Sequence, residues 1–172
     1  MDNPLVSVLM TAFNRERYIS EAIESVLAST YHNFELIIVD DCSKDNTEES
    51  IQNYIASNSS LNIRYLKHEV NKGKGAALHT GIKSATGDYT IIQDADLEYD
   101  PEEYNILLKP ILSGVADVVY GSRFMGGKPH RILFFWHSIG NKFLTFLSNM
   151  MNNLNLTDME TCYKMFKSEI VK

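Results

Sequence analysis

Cysteine, proline and tryptophan are scarce in this chain, which has 172 residues with two Cys, four Pro and one Trp. The two cysteines, Cys42 and Cys162, are 120 residues apart in the sequence. This excludes the disulfide framework of a small secreted protein. The low proline count and nine glycines exclude collagen-like and low-complexity classes. No apolar run reaches the roughly 20 residues of a membrane-spanning helix. We therefore expect an ordinary globular protein.

Positive charge is also in deficit, because 16 Lys and Arg face 22 Asp and Glu, for a formal net charge of −6. This balance argues against nucleic acid as a partner, since a polyphosphate backbone is held by clustered cations. The first residues show neither the basic nor the apolar region of a signal peptide. The sequence predicts a cytoplasmic protein and leaves its state as a monomer or homo-oligomer open.

Apolar runs of strand length alternate with segments of helical spacing along the chain. The pattern predicts strands near 5–10, 34–39, 63–66, 89–93 and 118–120. It predicts helices near 19–27, 45–55, 78–85 and 101–112, with a capping box of Asp45 and Glu48 and a helix closed by Gly87. Alternation of this kind is typical of an α/β fold: a mostly parallel sheet with helices on both faces. We expect one domain over residues 1–172.

Unusual polar clusters follow the predicted strands, where open α/β sheets bind ligands. Asp94, Asp96 and Glu98 alternate at one strand end, so their oxygens can converge on one cation. Neighbouring carboxylates stay ionised only beside positive charge, and Mg²⁺ or Mn²⁺ prefers such oxygen ligands. The plainer alternative is a solvated acidic turn.

A second cluster is the Lys72-Gly73-Lys74-Gly75 turn, where lysines supply charge and glycines let backbone amides approach a phosphate. Together with the acids, it suggests a diphosphate ligand. The turn matches neither of the glycine motifs of P-loop ATPases and dinucleotide dehydrogenases.

Taken in order, these segments resemble family 2 glycosyltransferases, and the resemblance covers nearly the whole chain. The segments are Val6–Asn14, Tyr31–Asp41 with Ser43 and Asp45, Gly73–Ala77 and Asp94–Asp96. The second half is most similar to polyprenyl-phosphate and dolichyl-phosphate sugar transferases, through Gly121-Ser122-Arg123 and Thr157–Lys164.

The resemblance implies a GT-A fold, a UDP- or GDP-sugar donor, inversion at the anomeric carbon and a divalent metal on an Asp-x-Asp motif. It implies nucleotide contacts by the first loop, by the acid after the second strand and by later cations, namely Thr11, Phe13, Asn14, Asp40, Lys74, Asp94, Arg123 and Arg131. It also implies metal ligation by Asp94, Asp96 and Glu98. Asp158 occupies the position of a late acid near the reacting centre.

The chain departs from the lipid-phosphate pattern at Thr11 and Arg15, where Pro and Glu are usual, and at Cys162, where Gly is usual. The first half is closer to bacterial polysaccharide transferases. Members of the family also continue past the position of Lys172 with a strand and a helix, so the resemblance leaves a C-terminal truncation open.

Ile139, Phe143, Phe146, Leu147 and Met150 form an apolar stripe at helical spacing. Core packing is the default interpretation, and an interfacial helix beside a lipid acceptor is the sharper one. The second would place the protein peripherally at the inner face of a membrane.

Three functions remain in competition. The leading one is metal-dependent sugar transfer to a polyprenyl phosphate, and a hydroxyl acceptor of polysaccharide type is its alternative. A nucleotidyltransferase would carry a Gly-rich basic motif after the first strand, which Thr11–Arg15 lacks. A truncated, non-catalytic nucleotide-binding domain is the third, although it would not need to retain Asp94, Asp96 and Asp158.

Overall fold

The computed structural model describes residues 3–96, 100–124 and 135–172. Glu98 and Arg131, two residues of the predicted site, lie outside the described residues. The strands are β1 (Val6–Ala12), β2 (Phe34–Asp40), β3 (Ile63–Lys67), β4 (Tyr89–Asp94), β5 (Val118–Tyr120) and β6 (Lys164–Lys167). The helices are α1 (Ile19–Leu27), α2 (Thr47–Ser57), α3 (Lys74–Ser84), α4 (Tyr104–Leu112), α5 (Phe135–Asn152) and α6 (Ser168–Val171), with a 3₁₀ turn at Pro101–Glu103.

Within the described residues, the six strands form one sheet in the order β3-β2-β1-β4-β6-β5. β1, β2, β3 and β4 are parallel, and β6 runs antiparallel to both β4 and β5. The predicted α/β architecture with a mostly parallel sheet is therefore confirmed. The sequence analysis missed β6, a short strand whose pairing depends on segments more than 40 residues away.

Each face of the sheet buries its own apolar cluster. On one face, β1 and β2 side chains such as Val8 and Ile38 pack under α1, α2 and α4. On the other face, Leu9, Ile37 and Val39 pack against Ala77 of α3. Consecutive residues of β1 and β2 are buried on opposite faces, which explains why these strands are continuously apolar.

Two of the predicted end signals have other roles in the structure. The capping box is wrong: the N-cap of α2 is Asn46, which makes no side-chain capping bond, and Glu48 pairs instead with Lys67. Asp45 accepts from the Thr47 amide at 3.1 Å just before the helix. Gly87 does not end α3, whose C-cap is Ala85.

Gly87 is required for a close approach to β1 instead. A Cβ at this position would lie 2.6 Å from the Leu5 carbonyl oxygen and 2.8 Å from the Ser7 amide nitrogen. No side chain fits at those distances, so the turn before β4 can pass β1 only with glycine here.

Candidate active site

The carboxyl ends of β2, β1 and β4 lie side by side and bring two predicted site acids together. Ala12 is paired with Asp40 of β2, and Thr11 is paired with both Val39 and Asp94 of β4. Asp40 and Asp94, 54 positions apart in the sequence, therefore flank the end of the same central strand. The predicted cluster of polar groups at one edge of the sheet is present.

Asp40 is completely buried, and the turn that follows β2 is built on its carboxylate. Oδ1 accepts from the backbone amide of Ser43 at 3.0 Å and from the Ser43 hydroxyl, and Tyr65 donates to Oδ2 at 3.2 Å. Burial and the neighbouring carboxylate raise the pKa of Tyr65, so this hydroxyl stays a donor. The Asp40 carboxylate thus holds a turn at the carboxyl end of β2.

The first loop, which includes Phe13 and Asn14, is tied to the segment after β2. Asn14 has a positive φ of 54°; its amide donates to Ser43 Oγ at 2.9 Å, and its Oδ1 accepts from the Lys44 amide at 2.8 Å. Arg15 adds a bond from its amide to Thr47 Oγ1 at 2.7 Å. Phe13, which precedes Asn14, remains 43% exposed, so its ring is accessible to a ligand. Thr11 itself belongs to β1 and is half-buried.

Lys74 is the first residue of α3 and forms an ion pair with Asp94. Its ammonium lies 2.6 Å from Oδ1 and 2.7 Å from Oδ2. Partial burial lowers the pKa of Lys74, but the bond and charge of Asp94 outweigh it and raise the pKa overall. The Lys74 ammonium is therefore placed at the start of the predicted metal motif.

The predicted amide cradle of the Lys72–Gly75 turn is wrong for two of its amides. The backbone amides of Lys72 and Gly73 donate to the carboxylate of Asp41, at 2.9 and 2.7 Å. Asp41, the second acid of the Asp40-Asp41 pair, is buried and is also bonded to His68. In the sequence Asp41 is only a second acid after a strand, and its partners became visible only in three dimensions.

The residues offered as metal ligands fit a divalent cation in chemistry. No group of three or more His, Cys, Asp or Glu side chains converges on one point among residues 3–96, 100–124 and 135–172. Asp94 and Asp96 still give two carboxylates at one strand end, both half-buried. Mg²⁺ and Mn²⁺ are commonly held by one or two carboxylates together with substrate phosphates, so this donor set is sufficient.

Asp158 is paired with Arg123 and is almost completely buried, at 1% exposure. It accepts from the Arg123 side chain at 2.8 and 2.9 Å, from the Arg123 backbone amide at 3.1 Å and from Asn141 of α5 at 2.9 Å. Burial alone would raise the pKa of Asp158, but the bonds from Arg123 and Asn141 hold it below its usual value. A carboxylate so fully engaged orients its arginine and is poorly suited to removing a proton.

A cavity of about 540 Å³ opens beside this ion pair. It is lined by residues of α5 together with two charged residues from other segments: Arg123, Trp136, His137, Gly140, Asn141, Leu144 and Glu160. Trp136 is 76% exposed. The cavity therefore combines charged side chains, such as Arg123, with the apolar side chains of Trp136 and Leu144.

The apolar stripe of α5 lies on the surface. Only Asn141 and Thr145 of this helix are buried, while Phe143 and Phe146 are 59% and 62% exposed. The helix is attached by polar contacts to the segment before β6, such as the bond from the Met159 amide to Thr145 Oγ1 at 3.1 Å. Within the described residues the rings of Phe143 and Phe146 are not packed in the core, contrary to the default interpretation of the stripe. Across the described part of the chain, no helix is long and apolar enough to cross a membrane.

The chain is similar in sequence to proteins of known function. The chain is 31% identical, over its full length, to a UDP-N-acetylglucosamine–dolichyl-phosphate N-acetylglucosaminyltransferase of Methanococcus voltae, of which it covers 73%. It spans between 19% and 73% of the length of the curated relatives that it matches.

Two solved structures share its fold. One is a Pyrobaculum calidifontis mannosyltransferase in complex with GDP-Man and Mn²⁺, with 27% identity and a TM-score of 0.52 over 54% of this chain and 28% of that one. The other is a Mycobacterium tuberculosis glucosyl-3-phosphoglycerate synthase, with 23% identity and a TM-score of 0.71 over 97% of this chain and 57% of that one. The family model for glycosyl transferase family 2 matches residues 7–172, and the chain therefore belongs to that family.

Proposed function

We propose that this chain transfers a sugar from a UDP- or GDP-sugar to a polyprenyl phosphate, with inversion and with a divalent cation. The observation that carries the proposal is the convergence of Asp40, Asp94 and Lys74 around the carboxyl end of β1. Support also comes from the Methanococcus voltae relative, named for a dolichyl-phosphate acceptor, and from the Pyrobaculum calidifontis structure, which holds GDP-Man and Mn²⁺.

On the donor side, the nucleotide would lie across the ends of β2, β1 and β4. Phe13 would lie against the base, with Thr11, Asn14 and Asp40 around it. Asp94, Asp96 and Glu98 would hold Mg²⁺ or Mn²⁺, which when bound stabilises the charge of a diphosphate leaving group as a Lewis acid. Lys74 would neutralise the same diphosphate, since its ammonium already stands at Asp94.

On the acceptor side, a phosphate oxygen is the nucleophile that fits best. Such an oxygen is already anionic and needs no base, which agrees with an Asp158 engaged by Arg123 and Asn141. Asp158 would hold the Arg123 guanidinium in the direction needed to grip the acceptor phosphate, and Arg131 would assist. A hydroxyl acceptor would need a free base instead.

The lipid tail would leave the cavity beside Arg123 along Trp136 and Leu144 and continue on the exposed face of α5. A lipid phosphate is an amphiphile, and this surface joins a cation to aromatic side chains in one cavity. We propose that α5 rests on the membrane surface, with Lys142 reaching the headgroups. A second copy of the chain covering the same face is the competing outcome in the test below.

The test begins with donor binding, measured by calorimetry with UDP and GDP in Mn²⁺ and in EDTA. We expect Asp96→Ala to abolish the part of the affinity that depends on Mn²⁺, while the fold is kept. Asp117→Ala is the matched control, because this exposed acid pairs with Lys167, which lies beside the first residue of β4 at the opposite end of the sheet. Equal nucleotide affinity with EDTA and with Mn²⁺ would refute the metal dependence.

Transfer is then assayed with labelled UDP- and GDP-sugars and polyprenyl phosphate, with polyprenol as the control lacking phosphate. An organic-extractable product that forms only with the phosphate supports the proposal. Label that passes only to glycan hydroxyls would refute the lipid acceptor, and Glu160 in the same cavity would become the candidate base. Concentration-dependent dimerisation blocked by changes on α5, without vesicle binding, would assign that face to a second copy.

A further inference from the structure

A buried acid–imidazole pair lies behind the Lys72–Lys74 turn. The Asp41 Oδ1 atom is 2.6 Å from Nδ1 of His68, and both side chains are almost completely buried. On its other side, His68 Nε2 is 2.9 Å from the Thr80 hydroxyl of α3. The pair thus connects the end of β2, the residue after β3 and the middle of α3.

The same carboxylate determines where the turn begins. Asp41 Oδ1 accepts from the Lys72 amide at 2.9 Å, and Oδ2 accepts from the Gly73 amide at 2.7 Å. Gly73 has a φ of 84° and is the N-cap of α3, so the chain changes direction there and the helix starts at Lys74. Two bonds to one carboxylate hold these consecutive amides, and with them the first helical residue.

Lys74 connects this turn to the donor site. Its ammonium contacts both oxygens of Asp94, although its side chain is about half exposed. A long, exposed lysine loses much rotamer entropy when it is held in one place, so its contact depends on a fixed backbone anchor. Asp41 provides that anchor at the two preceding residues.

We propose that Asp41 and His68 are positioning residues that hold the Lys72–Lys74 turn, and thereby Lys74, against the diphosphate of the donor. His68 would act through Asp41. Its hydrogen bond to Oδ1 would keep the Asp41 carboxylate oriented toward the turn, and its contact with Thr80 would fix the imidazole ring. This inference rests on the proposed function, because it assigns Lys74 to the donor diphosphate. It adds a layer of residues that do not themselves touch the donor.

The competing explanation is that Asp41 and His68 only stabilise the fold. A second buried acid serves as a control that separates a loss of stability from a loss of nucleotide affinity. Glu35 is buried at the opposite end of β2, and its Oε1 accepts from Ser7 Oγ at 2.6 Å and from the Thr86 amide at 2.6 Å. Glu35→Gln should therefore lower stability without changing nucleotide affinity.

The test compares UDP and GDP affinity, in Mn²⁺ and below the melting temperature, for four variants. Asp41→Asn and His68→Leu should weaken binding about tenfold, the effect of losing one charge-assisted hydrogen bond. His68→Asn should restore most of the affinity, because its amide nitrogen can replace Nδ1 as the donor to Asp41. Thr80→Val, which removes only the brace, should have a smaller effect.

A double-mutant cycle with Lys74→Met identifies the route. If the pair acts through Lys74, His68→Leu should have almost no further effect on affinity once Lys74 is replaced. Equal effects in both backgrounds, or an unchanged affinity in His68→Leu, would overturn the proposal. The His68→Leu and His68→Asn comparison keeps it testable if Asp41→Asn does not fold.

Amide hydrogen exchange separates the failure of this inference from failure of the proposed function. We expect faster exchange at Lys72 and Gly73 in His68→Leu, and at neither position in Glu35→Gln. If the unmodified chain binds neither UDP nor GDP, the proposed function fails while this readout still reports the anchor. Unchanged exchange at both amides would refute the anchor itself.

Discussion

Arg123 and Asp158, 35 residues apart in the sequence, form a two-pronged ion pair: Nε donates to Oδ2 at 2.8 Å and Nη2 donates to Oδ1 at 2.9 Å. The acid is almost fully buried, whereas the arginine side chain keeps 24% of its exposure. The pair fixes a guanidinium at the wall of the cavity beneath α5.

We expect Asp158→Asn to lower the free energy of unfolding by about 2–3 kcal/mol, because it removes the charge that balances a partly buried arginine. Arg123→Gln combined with Asp158→Asn should lose less than the sum of the two single changes, since no charge is then left unpaired. Urea unfolding of the four proteins measures this coupling. Additive losses would mean that the two side chains do not depend on each other.

For Asp40→Ala, we expect two losses at once. Stability should fall by about 1–3 kcal/mol, because the Ser43 amide and hydroxyl lose their acceptor. UDP or GDP affinity should also fall in EDTA, since the proposed partner of Asp40 is the base. Thermal melts paired with titrations separate the two, and Tyr65→Phe is the control that removes one bond but keeps the carboxylate. If Asp40→Ala lowers the melting temperature but leaves nucleotide affinity unchanged, Asp40 only stabilises the turn and does not bind the base.

Glu35 predicts how stability changes with pH. Burial alone would raise its pKa, but the bonds from Ser7 and Thr86 and the charge of Arg64 lower it below its usual value. Because the pKa of Glu35 is lower in the folded state, the folded chain binds fewer protons than the unfolded chain as the pH falls past about 4.3. The contribution is present above that pH and is lost as the pH falls through the folded pKa.

We therefore expect Glu35→Gln to be less stable than the unmodified chain at pH 6 and to show a shallower loss of stability as the pH falls below about 4.3. Urea unfolding at a series of pH values measures both slopes. Parallel curves for the two proteins would show that Glu35 does not contribute to acid sensitivity.

Changes on the exposed face of α5 should leave stability almost unaffected. Phe143→Ser and Phe146→Ser should each alter the free energy of unfolding by no more than about 0.5 kcal/mol, because both rings are more than half exposed. If this face rests on a membrane, the same changes should abolish co-flotation with vesicles containing anionic lipid. Val115→Ser, at a residue 82% exposed after α4, is the matched control. Vesicle binding that persists in both phenylalanine variants would contradict the membrane contact.

The sequence alone determined the strand–helix alternation and the positions of the site acids. Local patterns carry this information: β1 and β2 are apolar without interruption because both of their faces are buried, and Asp40 and Asp94 follow strands directly. Parallel strands then bring their carboxyl ends to one edge, so a site there could be expected without knowing any contact.

Only the tertiary structure decided which partners these groups take. β6 has four residues, three of them paired with β4 and three with β5, and no local pattern of its own, so its pairing depends on long-range contacts. An apolar stripe at helical spacing has the same sequence pattern whether it is buried or exposed. In α5 the apolar stripe is exposed, because the helix contacts the rest of the chain through the polar side chains of Asn141 and Thr145. In the sequence, Asp41 and Asp158 cannot be distinguished from any other acid in a turn. Their partners His68 and Arg123 lie 27 and 35 residues away, and a buried carboxylate is satisfied by whichever donors the fold brings to it.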